Sequence, residues 1–140
     1  MMNTFTLKIL AAEKPFFVGR GESVAFSTLD GEMCILAQHS NAIYAVNPGE
    51  LRIKTDKGEE IIASISQGMV KVENNEVLIL VDTCERPEEI DENRARRAKE
   101  EAREEMLQKK SIQDYYQAQL KMTRAISRLR VKNHTNINHK

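Results

Sequence analysis

The sequence predicts an α+β protein, an N-terminal antiparallel β-sandwich followed by a C-terminal antiparallel two-helix hairpin. Three observations predict it. Before residue 85, apolar residues come in short alternating runs split by Gly, Asn-Asn and Asp-Gly. After residue 91, Ala, Glu, Lys and Arg take over at helical spacing. Between them Pro87 can neither sit inside a helix nor leave Arg86 helical, so the last strand must stop there. The predicted division is 1–85 for the sandwich, 86–90 for a hinge, 91–133 for the hairpin and 134–140 for a frayed tail.

Phe5, Leu7 and Ile9 alternate with polar neighbours as a half-buried strand. Pro15 breaks the run, and Phe16-Phe17-Val18 resumes it as an edge or second strand. Val24 and Phe26 point inward from a strand over Glu22–Thr28. Asp30-Gly31 makes a turn, and Met33–Leu36 reads as a short buried strand. Ala37–Asn41 is a loop bearing His39, and Ile43–Val46 leads into the Asn47-Pro48-Gly49 turn. Leu51 and Ile53, the Asp56-Lys57-Gly58 turn, and Ile61–Ile65 form a hairpin. Gly68 marks a bulge or a tight approach before Val70 and Val72. Asn74-Asn75 then turns the chain into Val77–Val81, the most apolar and hence most central strand. About nine short strands at this spacing predict a sandwich or flattened barrel.

Asp91 is placed to cap the first helix, with Glu88 and Glu89 near its positive end. Ala95, Ala98, Ala102 and Met106 form a narrow stripe on that helix. Lys109-Lys110-Ser111 interrupts it. Tyr115, Ala118, Met122, Ala125 and Leu129 then repeat as a helix–helix seam.

The zero net charge hides a division. Residues 1–85 hold 7 Lys and Arg against 12 Asp and Glu, or −5, and residues 86–140 hold 14 against 9, or +5. Residues 109–140 carry 8 basic residues against Asp114 alone, or +7, which suits an acidic partner. No apolar run approaches the ~20 residues that span a bilayer, and Met1-Met2-Asn3-Thr4 is not a signal peptide. Cys34 and Cys84 lack any zinc spacing and read as buried thiols of an intracellular protein rather than a disulfide.

An antiparallel hairpin centred near Ser111 sets Arg94 and Arg128 at equal height, each beside a seam residue. They should converge, with Arg124 one turn from Arg128 and Asp91 one turn from Arg94. Two readings of this cluster stand. One is a polyphosphate site with bidentate guanidiniums. The other is a solvated charged face paired with Glu89 or Glu92.

The chain resembles the epsilon subunit of rotary F-type ATP synthase, equivalent to the mitochondrial delta subunit, from about Thr4 to Val131. The resemblance rests on Gly31-Glu32-Met33-Cys34-Ile35-Leu36-Ala37-Gln38-His39, Pro48-Gly49-Glu50-Leu51-Arg52-Ile53 and Gly68-Met69-Val70-Lys71-Val72. It continues through Asp82-Thr83-Cys84-Glu85-Arg86, Ile90-Asp91-x-x-Arg94-Ala95 and Arg124-Ala125-x-x-Arg128-Leu129. It implies a non-catalytic central-stalk subunit that couples the gamma subunit to the c-ring in proton-driven ATP synthesis. It also implies inhibition of ATP hydrolysis, by the hairpin opening and its basic second helix rising toward the catalytic beta subunits. The implied location is peripheral, on the cytoplasmic face of the plasma membrane in a bacterium. Some bacterial members bind regulatory ATP in the folded hairpin, which by motif implies Glu85, Asp91, Arg94, Arg124 and Arg128 here. A further arginine used by such members has no match, since Glu101 falls near its place and Arg103 is offset. Cys34 stands where the family usually has Gly, which implies either an altered turn at that point or a turn that tolerates a small side chain. The resemblance makes Glu32 and His39 contacts at the c-ring and gamma interface, on one loop at the bottom of the sandwich.

His39 and Glu32 lack a second metal ligand or a nucleophile–base partner, so interface outweighs chemistry. The alternative function is a nucleic-acid-binding adaptor using the basic second helix. Against it, aromatic residues make up only 5% of the chain and no basic aromatic strand face exists. The absence of a Gly-rich phosphate loop argues against a nucleotide-using enzyme.

Overall fold

A computed structural model describes residues 3–108 and 111–138. The alternating runs become nine strands: β1 (Phe5–Ala11), β2 (Pro15–Thr28), β3 (Gly31–Leu36), β4 (Ala42–Val46) and β5 (Gly49–Thr55), then β6 (Glu60–Ile65), β7 (Gly68–Glu73), β8 (Glu76–Val81) and β9 (Cys84–Glu85). A 3₁₀ turn at Pro87–Glu89 leads to α1 (Glu92–Gln108) and α2 (Ile112–Asn138). The strands form one continuous sheet in the order β4-β7-β8-β1-β2-β5-β6-β9, with β3 also on β2. Inward residues of both halves, among them Leu7, Phe26, Leu51 and Ile79, share one core.

Two expected strands are one. β2 runs unbroken through Gly19 and Gly21, because glycine there stays extended and a register shift between Gly21 and Ser23 redirects the strand. Its first half pairs with β1 and its second half with β3 and β5, so β2 joins the two layers. The sheet is also not wholly antiparallel, since β1 lies parallel to β8 with Leu7 opposite Val77. β8, read as the most central strand, is indeed internal, between β7 and β1.

Met33–Leu36 is not a wholly buried strand. Ile35 is fully buried, but Leu36 is 59% exposed and Cys34 faces solvent with it, because successive side chains point to opposite faces. The pair of buried thiols is corrected accordingly: Cys84 is buried, Cys34 is exposed and both are free. Cys34 occupies an ordinary strand position opposite Ala25 without a positive φ, so of the two expectations for it the tolerated small side chain holds and the altered turn does not.

The turns follow their residues. Asn74 and Asn75 adopt φ of 51° and 63° between β7 and β8, a conformation asparagine tolerates. Gly68 is a tight approach rather than a bulge, since a Cβ there would lie 2.0 Å from the Leu80 carbonyl oxygen.

Asp91 caps α1, its Oδ1 accepting from the Arg94 backbone N–H at 3.1 Å. Ser111 does the same for α2 by accepting from the Asp114 N–H at 3.0 Å. Ala95 and Ala102 of α1 and Ala118 and Ala125 of α2 are buried in the helix–helix seam, with Met122 and Leu129 half-buried. Tyr115 is not in that seam. It lies exposed near the hairpin tip, beyond the last buried alanine of α1, with its ring edge-on to Tyr116. Lys109 and Lys110, expected in the interruption, lie outside the described residues. α2 continues to Asn138, past the boundary expected at 133.

Gly68→Ala is expected to destabilise the protein by about 3 kcal/mol, because the β7–β8 pairing must open to admit the methyl group. Urea denaturation of both proteins checks it; an unchanged midpoint contradicts the close approach.

Candidate functional site

α2 presents two stripes. Ala118, Met122, Ala125 and Leu129 face α1, while Arg124, Ser127, Arg128, Val131 and Lys132 recur at i, i+3, i+4, i+7 and i+8 on another face. That second stripe lies on β5, β6 and the 3₁₀ turn. Arg124 Nη1 donates to Gln67 Oε1 at 3.0 Å, Arg128 Nε to Glu85 Oε1 at 2.6 Å, and Lys132 Nζ to the Pro87 carbonyl at 3.1 Å. The hydroxyls of Ser127 and Ser64 meet at 2.8 Å.

The hinge is fastened as well. The Arg86 backbone N–H donates to Glu89 Oε1 at 3.2 Å, the Arg86 guanidinium lies 4.8 Å from the centre of the Phe16 ring, and Lys14 Nζ is 3.6 Å from Glu89 Oε2.

Between these contacts lies a cleft of about 640 Å³ lined by the β1–β2 turn, β9, the hinge and both helices. Glu85, Asp91, Arg94 and Arg128 all line it, so four of the five residues expected at a nucleotide site share one cleft. Arg124 does not line it, because its side chain is drawn to Gln67 on the sandwich. The alternative pairing of Arg94 or Arg128 with Glu89 or Glu92 is not adopted. Glu89 pairs with Lys14 and Glu92 with Arg96, while Arg128 takes Glu85. Lys14 and Gln67 were not singled out from the sequence, since each meets its partner across 15 residues or more and no local spacing marks it.

Cys84 also lines the cleft, and burial pushes its thiol up to about 12, with the nearby Glu89 carboxylate adding to the effect.

Glu32 and His39 are not brought together. Glu32 starts β3 and pairs with Arg52, whereas His39 follows the end of β3. The strand between them carries the chain about 13 Å from Glu32 to Leu36 at 3.3 Å per residue, so they do not share one loop. His39 Nδ1 lies 2.8 Å from the Ser40 carbonyl oxygen, and its ring meets Tyr44 edge-on at 6.0 Å. Among the described residues, no group of three or more His, Cys, Asp or Glu is placed to hold a metal ion.

A second surface emerges from strand register. Across β4, β7, β8 and β1 the outward partners are Ala45, Met69, Leu80 and Leu10. The adjacent outward row is Ile43, Lys71, Leu78 and Lys8, continuing to Val18 on β2. Ile43 is 68% exposed, Val18 64% and Leu80 38%, because α2 packs on β5 and β6 instead. This is a broad, largely apolar sheet face, with Lys8 and Lys71 within it, that no helix among the described residues covers.

Residues 4–87 match the family described as ATP synthase, Delta/Epsilon chain, beta-sandwich domain, and residues 88–133 match the corresponding long alpha-helix domain. The chain is 42% identical over 132 residues to the ATP synthase epsilon chain of Ruminiclostridium cellulolyticum, covering 94% of this chain and 98% of that one. It is 45% identical over 129 residues to the epsilon chain of Clostridium novyi, covering 92% and 98% respectively. Its fold resembles a chain in the mitochondrial ATP synthase structure of Euglena gracilis, with a TM-score of 0.75 at 23% identity over 88% of this chain and 78% of that one.

Alkylation at pH 8 is expected to modify Cys34 rapidly and Cys84 only on unfolding. The raised Cys84 value also carries a sign. Below pH 9 the thiol is neutral in both states, and between 9 and about 12 only the unfolded state ionises, so stability falls with rising pH. Cys84→Ala should make that fall shallower in urea titrations; an equally steep fall contradicts the assignment.

Proposed function

The chain belongs to the delta/epsilon chain family of ATP synthase, and on that premise we propose that it is a non-catalytic central-stalk subunit that couples the gamma subunit to the c-ring. The observation that carries this reading is the uncovered apolar face built from β4, β7, β8, β1 and β2. Gamma is its occupant in this proposal. The opposite outer face, β5–β6, is already taken by α2. The β2–β3 turn is the c-ring contact, with Leu29 83% exposed at its tip and Asp30 and Glu32 beside it. His39, at the other end of β3, is then assigned to gamma rather than to the c-ring. The subunit is peripheral to the membrane through the complex, at the cytoplasmic face in a bacterium. Among the described residues, no helix is long and apolar enough to cross a membrane.

The hairpin is the regulatory part. Closed, α2 holds its basic stripe against the sandwich; open, the same arginines and lysine reach acidic segments of the catalytic beta subunits and oppose ATP hydrolysis. A nucleotide-sensing role is supported by the cleft that gathers Arg94, Arg128, Asp91 and Glu85. ATP there would join α1 to α2 and favour the closed form, in proportion to its differential affinity for the two forms. Since Glu85 already holds Arg128, the nucleotide must first displace a carboxylate, and affinity is lowered by that competition. The nucleic-acid reading loses support because Arg124, Arg128 and Lys132 are occupied by the sandwich.

Two experiments test these roles. The protein should co-purify with the gamma subunit and membrane rotor of its own organism, and Leu80→Glu with Val18→Glu should abolish this while leaving the circular dichroism unchanged. Retention of gamma by that variant removes the face assignment. In calorimetry the isolated protein should bind ATP, and Arg94→Ala with Arg128→Ala should weaken binding about tenfold or more. Equal heats remove the nucleotide role and leave the rotor role intact.

A further inference from the structure

Among the four side-chain hydrogen bonds named above between α2 and the rest of the chain, one differs in kind. The ion pair and hydrogen bonds of Arg124, Arg128 and Lys132 are part-buried and lie within reach of water. Ser64 on β6 and Ser127 on α2 are 3% and 5% exposed, and their hydroxyl oxygens are 2.8 Å apart. Ser64 lies on the outward side of β6, between the inward Ala63 and Ile65, at a place where solvent would reach it if α2 were absent.

We infer that the buried Ser64–Ser127 hydroxyl pair is the latch that sets how often α2 leaves the sandwich. Paired, each hydroxyl satisfies the other, and on opening both regain water, so the exchange is nearly balanced. Methyl groups in the same place would favour closure more strongly, because their exposure on opening is not compensated. The hydroxyl pair therefore favours the closed form only weakly and leaves it free to open. The latch also has an asymmetry that plain packing lacks. Removal of one hydroxyl leaves the other buried without a partner and penalises the closed form alone, whereas removal of both restores a compatible interface.

This inference rests on the reading of the hairpin as a movable element. Native-state amide exchange of the full chain measures it, because an undocked helix is marginal in water and its amides become exchangeable. In the unmodified protein, α2 amides over residues 119–133 should exchange through an opening more frequent than that of the strand amides. Ser64→Ala and Ser127→Ala should each lower α2 protection about tenfold and leave strand protection unchanged. The double variant should return α2 protection to the unmodified level or above it. Single variants that leave α2 protection unmoved overturn the latch. So does a double variant whose loss is the product of the single losses, or single variants that lower helix and strand protection equally. Exchange of α2 only together with the strands in the unmodified protein overturns the movable hairpin itself, and that failure is distinguishable from failure of the latch.

Discussion

The structure turns on how α2 is held. One face meets α1 through alanines with half-buried Met122 and Leu129, which allow close approach but bury little area, and the other meets the sandwich through a single buried valine, Val131, among side chains that also hydrogen-bond well to water. Neither contact resembles the inside of the sandwich, where Phe, Leu and Ile from both halves of the sheet interlock. Burial of apolar area dominates folding free energy, so the sandwich is the stable body and the hairpin the labile one. A regulatory helix needs that difference. A partner can move only an element whose two positions lie within a few kcal/mol of each other.

The cleft shows the same balance in charge. Five carboxylates and three cations line it, and the observed pairings leave the guanidinium of Arg128 and the ammonium of Lys14 already engaged. An incoming anion must therefore replace internal partners rather than fill an empty electropositive pocket. The internal partners have a structural use of their own, since Glu85 ties α2 to β9 and Glu89 ties the hinge to the β1–β2 turn. An anion in the cleft and the docked hairpin would thus draw on the same side chains.

Much of the fold was legible because its signals are local. Alternation in Phe5–Ile9 and Leu51–Ile53, the Asn74-Asn75 turn, the Asp91 cap and the alanine seam each depend on neighbours within one strand or two helical turns. The misreadings were non-local. Gly19 and Gly21 look like a break between strands, and only the pairing of β2 with β1 on one side and β5 on the other shows that the strand continues. Glu32 and His39 look like neighbours in one loop until the β2–β3 pairing stretches the chain between them. In α2, the stripe of Arg124, Ser127, Arg128, Val131 and Lys132 was present in the spacing, but the alanine seam drew the reading because its partner helix lay adjacent in the chain.

The amino-acid sequence alone determined the two-part architecture, its junction at Pro87, the convergence of Arg94 and Arg128, and the family to which the chain is related. These follow from periodicity, caps and ordered motifs, all of them short-range properties of the chain. Only the tertiary structure decided that Arg124 leaves the cleft for Gln67, that Glu85 neutralises Arg128, and that Ser64 meets Ser127 across 63 residues. Those contacts depend on where α2 lands on the sandwich. That landing is set by the summed shape and hydrogen bonding of two distant surfaces, and no spacing along the chain records it.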